Sequence, residues 1–271
     1  MTRYFIISLA LLPSARAADP PPPTIQAELL PSARSVSAGQ SLDLGVRLSL
    51  PEGWHIYWAN PGDTGMATEV SLIAPAGFAA GALGWPGPER FTAPGDIVSY
   101  GYEGETLLLL PVTPPANLPA TGESALTVEV YWLACRAICV PGQARLSVTL
   151  PHTANNTAVN TAVNTDNTAA LAPWRARLPT PFEGGITLSG TDAKPTLRLD
   201  APGAAAFFPG PGMSAEVLTE RAVAGSLEVD LRAMGRPDRL QGVLSVTTDA
   251  GPAWYTIEQP WPAALSEEVA P

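Results

Sequence analysis

Apolar and polar residues alternate along several short stretches of the chain. Between residues 41 and 50, Leu42, Leu44, Val46, Leu48 and Leu50 occupy every second position, and Leu146, Val148 and Leu150 do the same between 144 and 150. A period of two puts these side chains on one face of an extended strand, so it predicts half-buried antiparallel strands. Further strand-like segments are 25–30, the aromatic 54–58, 68–73 after a Pro61-Gly62-Asp63 turn, 106–112 and 124–134. About seven strands in ~125 residues predict an immunoglobulin-like β-sandwich over residues 24–151.

The pattern then lapses. Residues 152–170 hold a repeated Asn/Thr/Ala/Val unit with almost no bulky apolar side chain, which reads as a flexible low-complexity linker. Residues 171–178 suggest a short helix ahead of Pro179 and Pro181. Strand-like segments resume at 185–188, 196–199, 216–218, 226–231, 242–247 and 254–257, predicting a second, smaller β-rich domain over 171–263 and a loose tail at 264–271. The predicted fold class is therefore all-β, a sandwich followed by a smaller β domain.

Composition agrees with this picture. Thirty prolines and 24 glycines interrupt any long helix, while 46% hydrophobic residues are enough to build cores. The N-terminus adds a compartment. Arg3, the apolar run from Tyr4 to Leu12 and Ala15-Arg16-Ala17 have the layout of a secretory signal peptide over residues 1–17, cut after Ala17. The run is too short to span a bilayer, which takes ~20 apolar residues. An exported, periplasmic protein is expected. A net charge of −10 with a single lysine argues against nucleic-acid binding.

Few residues offer chemistry. No glycine-rich phosphate loop and no Gly-x-Ser-x-Gly elbow is present. His55 and His152 with the two cysteines lack the spacing of a common zinc site, so neither metal nor cofactor is expected. There remain Cys135 and Cys139. An oxidising compartment favours their pairing. Bridged Cα atoms lie about 4.4–6.8 Å apart, whereas four steps of extended strand cover ~13 Å. The chain must therefore turn across Arg136, Ala137 and Ile138, which puts the pair near a β-hairpin tip ahead of a Pro141-Gly142 turn. Such a bridge is either a structural staple in a non-catalytic binding or assembly protein, or a labile redox pair. A short loop gains little entropic stabilisation, and an exposed tip is accessible.

Three segments carry a family resemblance: Gly53-Trp54-His55-Ile56-Tyr57-Trp58-Ala59-Asn60-Pro61-Gly62-Asp63; Trp85-Pro86-Gly87-Pro88-Glu89-Arg90-Phe91 followed by Tyr100-Gly101-Tyr102-Glu103-Gly104-Glu105; and Cys135 through Ile138-Cys139-Val140-Pro141-Gly142. In order and spacing they resemble the amino-terminal periplasmic domain of DsbD-like and ScsB-like protein-disulfide reductases. Phe207-Phe208-Pro209 is similar, less specifically, to the ScsB type. The resemblance implies an immunoglobulin-like domain whose cysteine pair, here Cys135 and Cys139, takes electrons from a membrane-embedded thiol–disulfide transporter. It then passes them to oxidised periplasmic thioredoxin-fold proteins. It implies Cys139 as the attacking cysteine and Phe91 as an aromatic cap, with Glu89 and Arg136 as candidate modulators of thiol pKa. Full-length members continue into a membrane-spanning domain, so this chain is expected either to act with a separately encoded membrane partner or to serve as a soluble carrier or chaperone-like helper. The aromatic residues Trp54, Tyr57 and Trp58 are expected to be mainly structural, since a strand sends them to both faces.

Overall fold

The computed structural model describes residues 23–154 and 165–265. The expected signal peptide, most of the predicted linker and the last six residues lie outside that range.

The N-terminal lobe is a two-sheet immunoglobulin-like sandwich. One sheet has the order β1 (Gln26–Pro31), β2 (Leu42–Ser49), β8 (Glu105–Thr113), β5 (Ala79–Ala80). The other runs β10 (Cys139–Pro151), β9 (Glu123–Cys135), β3 (His55–Gly62), β7 (Ile97–Glu103), β6 (Glu89–Ala93), with β4 (Glu69–Ile73) also paired to β9. Leu42, Leu44, Val46 and Leu48 of the first sheet meet Ile56, Trp58, Val128, Val130 and Trp132 of the second in one buried cluster. The alternation predicted for 41–50 is thus the inner face of β2, with Asp43, Arg47 and Ser49 turned outward.

β8 is apolar without alternation, and Leu107, Leu108, Leu109 and Leu110 are all buried. A strand of that kind needs cover on both faces. Leu108 and Leu110 enter the sandwich, while Leu107 and Leu109 join Leu30 and Leu171 in a separate cluster. Leu171 belongs to a helix, α1 (Thr165–Arg175). The helix therefore starts inside the predicted linker, six residues ahead of the predicted 171, and Pro179 lies beyond its C-terminal turn. Its local sequence has little helical signal, and docking supplies the missing stability. Leu171, Trp174 and Leu178 face β8, Asn167 and Thr168 donate to the carbonyls of Pro31 and Ser32, and Arg175 pairs with Asp43 at 2.6 Å. Gly45 makes the close approach possible, since a Cβ there would sit 2.4 Å from Leu171 Cδ2.

Pro141-Gly142 is not a turn. It lies within β10, opposite Leu133 and Trp132. β10 is an edge strand, where a missing N–H is tolerated, and the bare Cα of Gly142 accepts the indole of Trp132. The predicted turn at 61–63 also begins late, because β3 continues through Gly62.

The C-terminal lobe has two four-stranded sheets. Their orders are β11 (Thr180–Pro181), β18 (Gly251–Pro260), β17 (Arg239–Thr248), β14 (Ala204–Pro209), and β12 (Ile186–Thr191), β13 (Lys194–Leu199), β16 (Ser226–Ala233), β15 (Ala215–Val223). Phe207, Leu197, Leu199, Val229 and Leu244 are among its core. The lobes share apolar packing: Phe208, Val243 and Trp254 join the N-terminal cluster. A Cβ on Gly87 would overlap the Trp254 ring, at 1.8 Å from Cδ2.

Candidate functional site

β9 and β10 form a 13-pair hairpin whose last register pair is Cys135 opposite Cys139. Arg136, Ala137 and Ile138 make the turn between them, closed by the Arg136 N–H donating to the Ile138 carbonyl at 3.0 Å. The turn demanded by strand geometry is therefore present. The two sulfurs are bonded, with Cα atoms 4.1 Å apart. Their environments differ: Cys135 is 3% exposed, whereas Cys139 is open to solvent. A nucleophile from outside meets Cys139 first.

β3 builds the wall beside Cys135. Its period-two pattern sends Trp54, Ile56 and Trp58 into the sandwich core. His55 and Tyr57 take the opposite face, and His55 lies directly across from Cys135 in the β3–β9 ladder. The Tyr57 hydroxyl donates to Cys135 Sγ at 3.0 Å. Burial pushes the Tyr57 pKa up, with a hydrogen bond to Thr64 opposing it, so the phenol remains a neutral donor at physiological pH. Burial holds the His55 pKa below its ordinary value, against the pull of Glu103 across the β3–β7 ladder. The His55 Nε2 is buried with no hydrogen-bond partner among the described residues.

Phe91 of β6 lies flat on the His55 ring, with centroids 4.6 Å apart and planes at 15°. Tyr57 meets the His55 ring edge-on, at 5.3 Å. Phe91, His55, Tyr57 and the disulfide thus form one contiguous group. Glu89 and Arg136 do not join it by any hydrogen bond or ion pair to sulfur among the described residues. Burial raises the Glu89 pKa, and the charges that act on it are Arg177 and Glu103. Arg136 extends over Gly53, where a Cβ would lie 3.3 Å from its Nε. His152 is at the far end of the hairpin, bonded to Ser124 and to the Pro119 carbonyl.

Tyr57, expected to be mainly structural, and His55, given no site role by the sequence, both line the cysteine pair. The signal was present: spacing of two on a strand separates them from Trp54, Ile56 and Trp58. That β3 lies beside the cysteine hairpin was not visible along the chain.

The family model for the N-terminal region of the thiol:disulfide interchange protein DsbD matches residues 26–151, spanning the hairpin, β3 and β6. Residues 26–151 are a DsbD N-terminal-type domain. Among solved structures, the N-terminal periplasmic domain of ScsB from Proteus mirabilis superposes with a TM-score of 0.63 at 16% identity, covering 92% of this chain and 97% of that one. At that identity it shows a shared fold, and the coverage extends this to both lobes of the present chain. The reduced DsbD N-terminal domain of Neisseria meningitidis covers 46% of this chain and 90% of its own, with 16% identity and a TM-score of 0.28. A comparison with curated protein sequences finds no match. No helix among the described residues is long and apolar enough to cross a membrane.

Proposed function

We propose that this DsbD N-terminal-type domain is a periplasmic thiol–disulfide carrier, receiving two electrons from a membrane-embedded dithiol protein and delivering them to oxidised thioredoxin-fold proteins. The observation that carries the reading is the asymmetry of the pair, a solvent-open Cys139 bonded to a buried Cys135. In the charging step a donor thiolate attacks Cys139 Sγ. The Cys135–Cys139 bond breaks, a mixed disulfide forms at Cys139, and Cys135 leaves as a thiolate beside the Tyr57 hydroxyl. The donor's second thiolate then attacks its own sulfur in the mixed disulfide. This releases Cys139 and leaves the donor oxidised and the pair reduced.

Delivery is the reverse. The Cys139 thiolate attacks the acceptor disulfide and expels one acceptor thiolate. Cys135 then attacks Cys139 Sγ, re-forming the intrachain bond and releasing the second, so two electrons and two protons pass per cycle. Tyr57 stabilises charge on the buried sulfur when it leaves. Phe91, stacked on His55 beside the buried Cys135, acts as a cap that limits the approach of unspecific reagents to the sulfurs from that face, while Cys139 is exposed at the tip.

Two measurements test the reading. A Cys135→Ser chain, left with Cys139 alone, should accumulate mixed disulfides with thioredoxin-fold proteins in an envelope extract. The wild-type pair should equilibrate with glutathione at a potential of about −120 to −270 mV. An absence of adducts together with a potential below about −300 mV identifies a structural staple and ends the proposal.

A further inference from the structure

The strand carrying Phe91 is held from the other lobe. β6 is the edge of its sheet and, among the described residues, its backbone ladder is to β7 alone. Successive residues of a strand point to opposite faces, so Arg90 leaves the side opposite Phe91, and it runs to the C-terminal lobe. Its guanidinium donates from Nη1 to Glu220 Oε2 at 2.6 Å and from Nη2 to Glu220 Oε1 at 3.1 Å. Nη2 also donates to the Phe207 carbonyl at 3.0 Å. Glu220 Oε1 accepts in addition the Phe207 N–H at 2.7 Å, which fixes the carboxylate to β14. The guanidinium packs over the rings of Phe208 and Tyr100, at 5.5 and 6.0 Å. Little of either partner reaches solvent, with side-chain exposures of 27% for Arg90 and 14% for Glu220. A β-bulge between Val217 and Thr219 sits just ahead of Glu220, and such bulges re-aim the side chains that follow. A further bond ties the lobes two strands away, on β3, from Asn60 Nδ2 to the Pro209 carbonyl at 2.8 Å.

We propose that Arg90 and Glu220 are positioning residues, a clamp through which the C-terminal lobe keeps Phe91 seated on His55 and so sets the accessibility of the Cys135–Cys139 bond. The inference rests on the cap role given to Phe91 in the proposed function. A planar bidentate pair fixes orientation as well as distance. On an edge strand with a ladder on one side only, it supplies the second point of attachment. Releasing it frees β6 to tilt about its β7 pairing, and the residue that follows on the opposite face moves with it. The C-terminal lobe, which brings no cysteine or histidine of its own, thereby acts on the redox pair from a distance.

The test measures the rate at which glutathione reduces the disulfide in the full chain, followed by trapping the freed thiols. Variants are Glu220→Gln, Arg90→Lys, Phe91→Ala and the Phe91→Ala/Glu220→Gln double, each assayed below its own unfolding midpoint. An open form populated at about 1–10% leaves room for acceleration of about tenfold or more. Glu220→Gln and Arg90→Lys should each accelerate reduction by about that factor. Phe91→Ala should do at least as much, and the double variant should react no faster than Phe91→Ala alone. Arg90→Lys keeps the charge and loses the fork, so it decides the matter if Glu220→Gln fails to fold. If Phe91→Ala accelerates reduction while the clamp variants do not, or the double is multiplicative, the clamp inference is overturned and the cap stands. If Phe91→Ala changes nothing, cap and clamp both fall, and the carrier reading is still judged by the trapping of Cys139.

Discussion

Replacing Tyr57 by phenylalanine removes one hydroxyl from a site whose neighbours are otherwise unchanged. That hydroxyl donates to Cys135 Sγ at 3.0 Å from a side chain only 3% exposed. A disulfide sulfur is a weak acceptor, so the oxidised protein should lose less than about 1 kcal/mol of stability. The reduced protein is different, because there the acceptor becomes a thiolate. Hydrogen bonds to charged groups contribute about 1.5–3 kcal/mol, and a pKa unit corresponds to about 1.4 kcal/mol. Tyr57→Phe should therefore raise the Cys135 thiol pKa by about one to two units. Losing the donor weakens the reduced form more than the oxidised form. At a pH where the wild-type thiolate is populated, the potential should fall by about 30–60 mV, at about 30 mV per 1.4 kcal/mol for a two-electron couple. Equilibration with glutathione reads the potential, and ultraviolet thiolate absorbance during a pH titration reads the pKa. If neither moves, the hydroxyl does not hold charge at Cys135 and its assigned role is wrong.

Other predictions concern the frame around the site. Leu171→Ala empties the contact that α1 makes with Leu30, Leu107 and Leu109, and should cost about 2–5 kcal/mol in urea unfolding; a change under about 0.5 kcal/mol would mean that the helix does not dock. Gly87→Ala forces a methyl into the Trp254 ring and should destabilise the lobe contact by about 1–3 kcal/mol, visible as faster proteolysis between lobes; unchanged proteolysis would contradict that packing. Burial at the lobe boundary pushes the Tyr100 pKa up to about 12 from 10.0. A raised pKa gives stability that is whole below about pH 10 and lost as pH climbs toward about 12, amounting to about 3 kcal/mol. Urea midpoints across that window should fall, and Tyr100→Phe should flatten the fall; an equal fall in both chains would refute the assignment.

Part of this molecule was readable in advance. Leu42 to Leu50 and Leu146 to Leu150 alternate because each strand has one dry and one wet face, and that periodicity is local. The cysteine hairpin was readable too, since four residues cannot bridge without turning. Pro141-Gly142 misled for a local reason. Its usual meaning is a turn, yet an edge position and the Trp132 indole make it strand. Residues 165–170 misled in the opposite sense, because polar Asn/Thr residues take helical form there, with Asn167 and Thr168 bonded to the Pro31 and Ser32 carbonyls and Leu171 docked on β8.

The sequence by itself determined the all-β class, the turn that a Cys135–Cys139 bridge requires, and the segments that match a DsbD N-terminal-type domain. Each depends on neighbours within a few residues or on a motif written in order along the chain. Tertiary structure alone decided which sulfur is buried, that Tyr57 donates to it, and that Phe91 rests on His55. It also decided that Arg90 meets Glu220 from 130 residues away. Those contacts join strands distant in sequence, and only the packing of two sheets and two lobes, each burying the apolar face the other leaves open, brings them together.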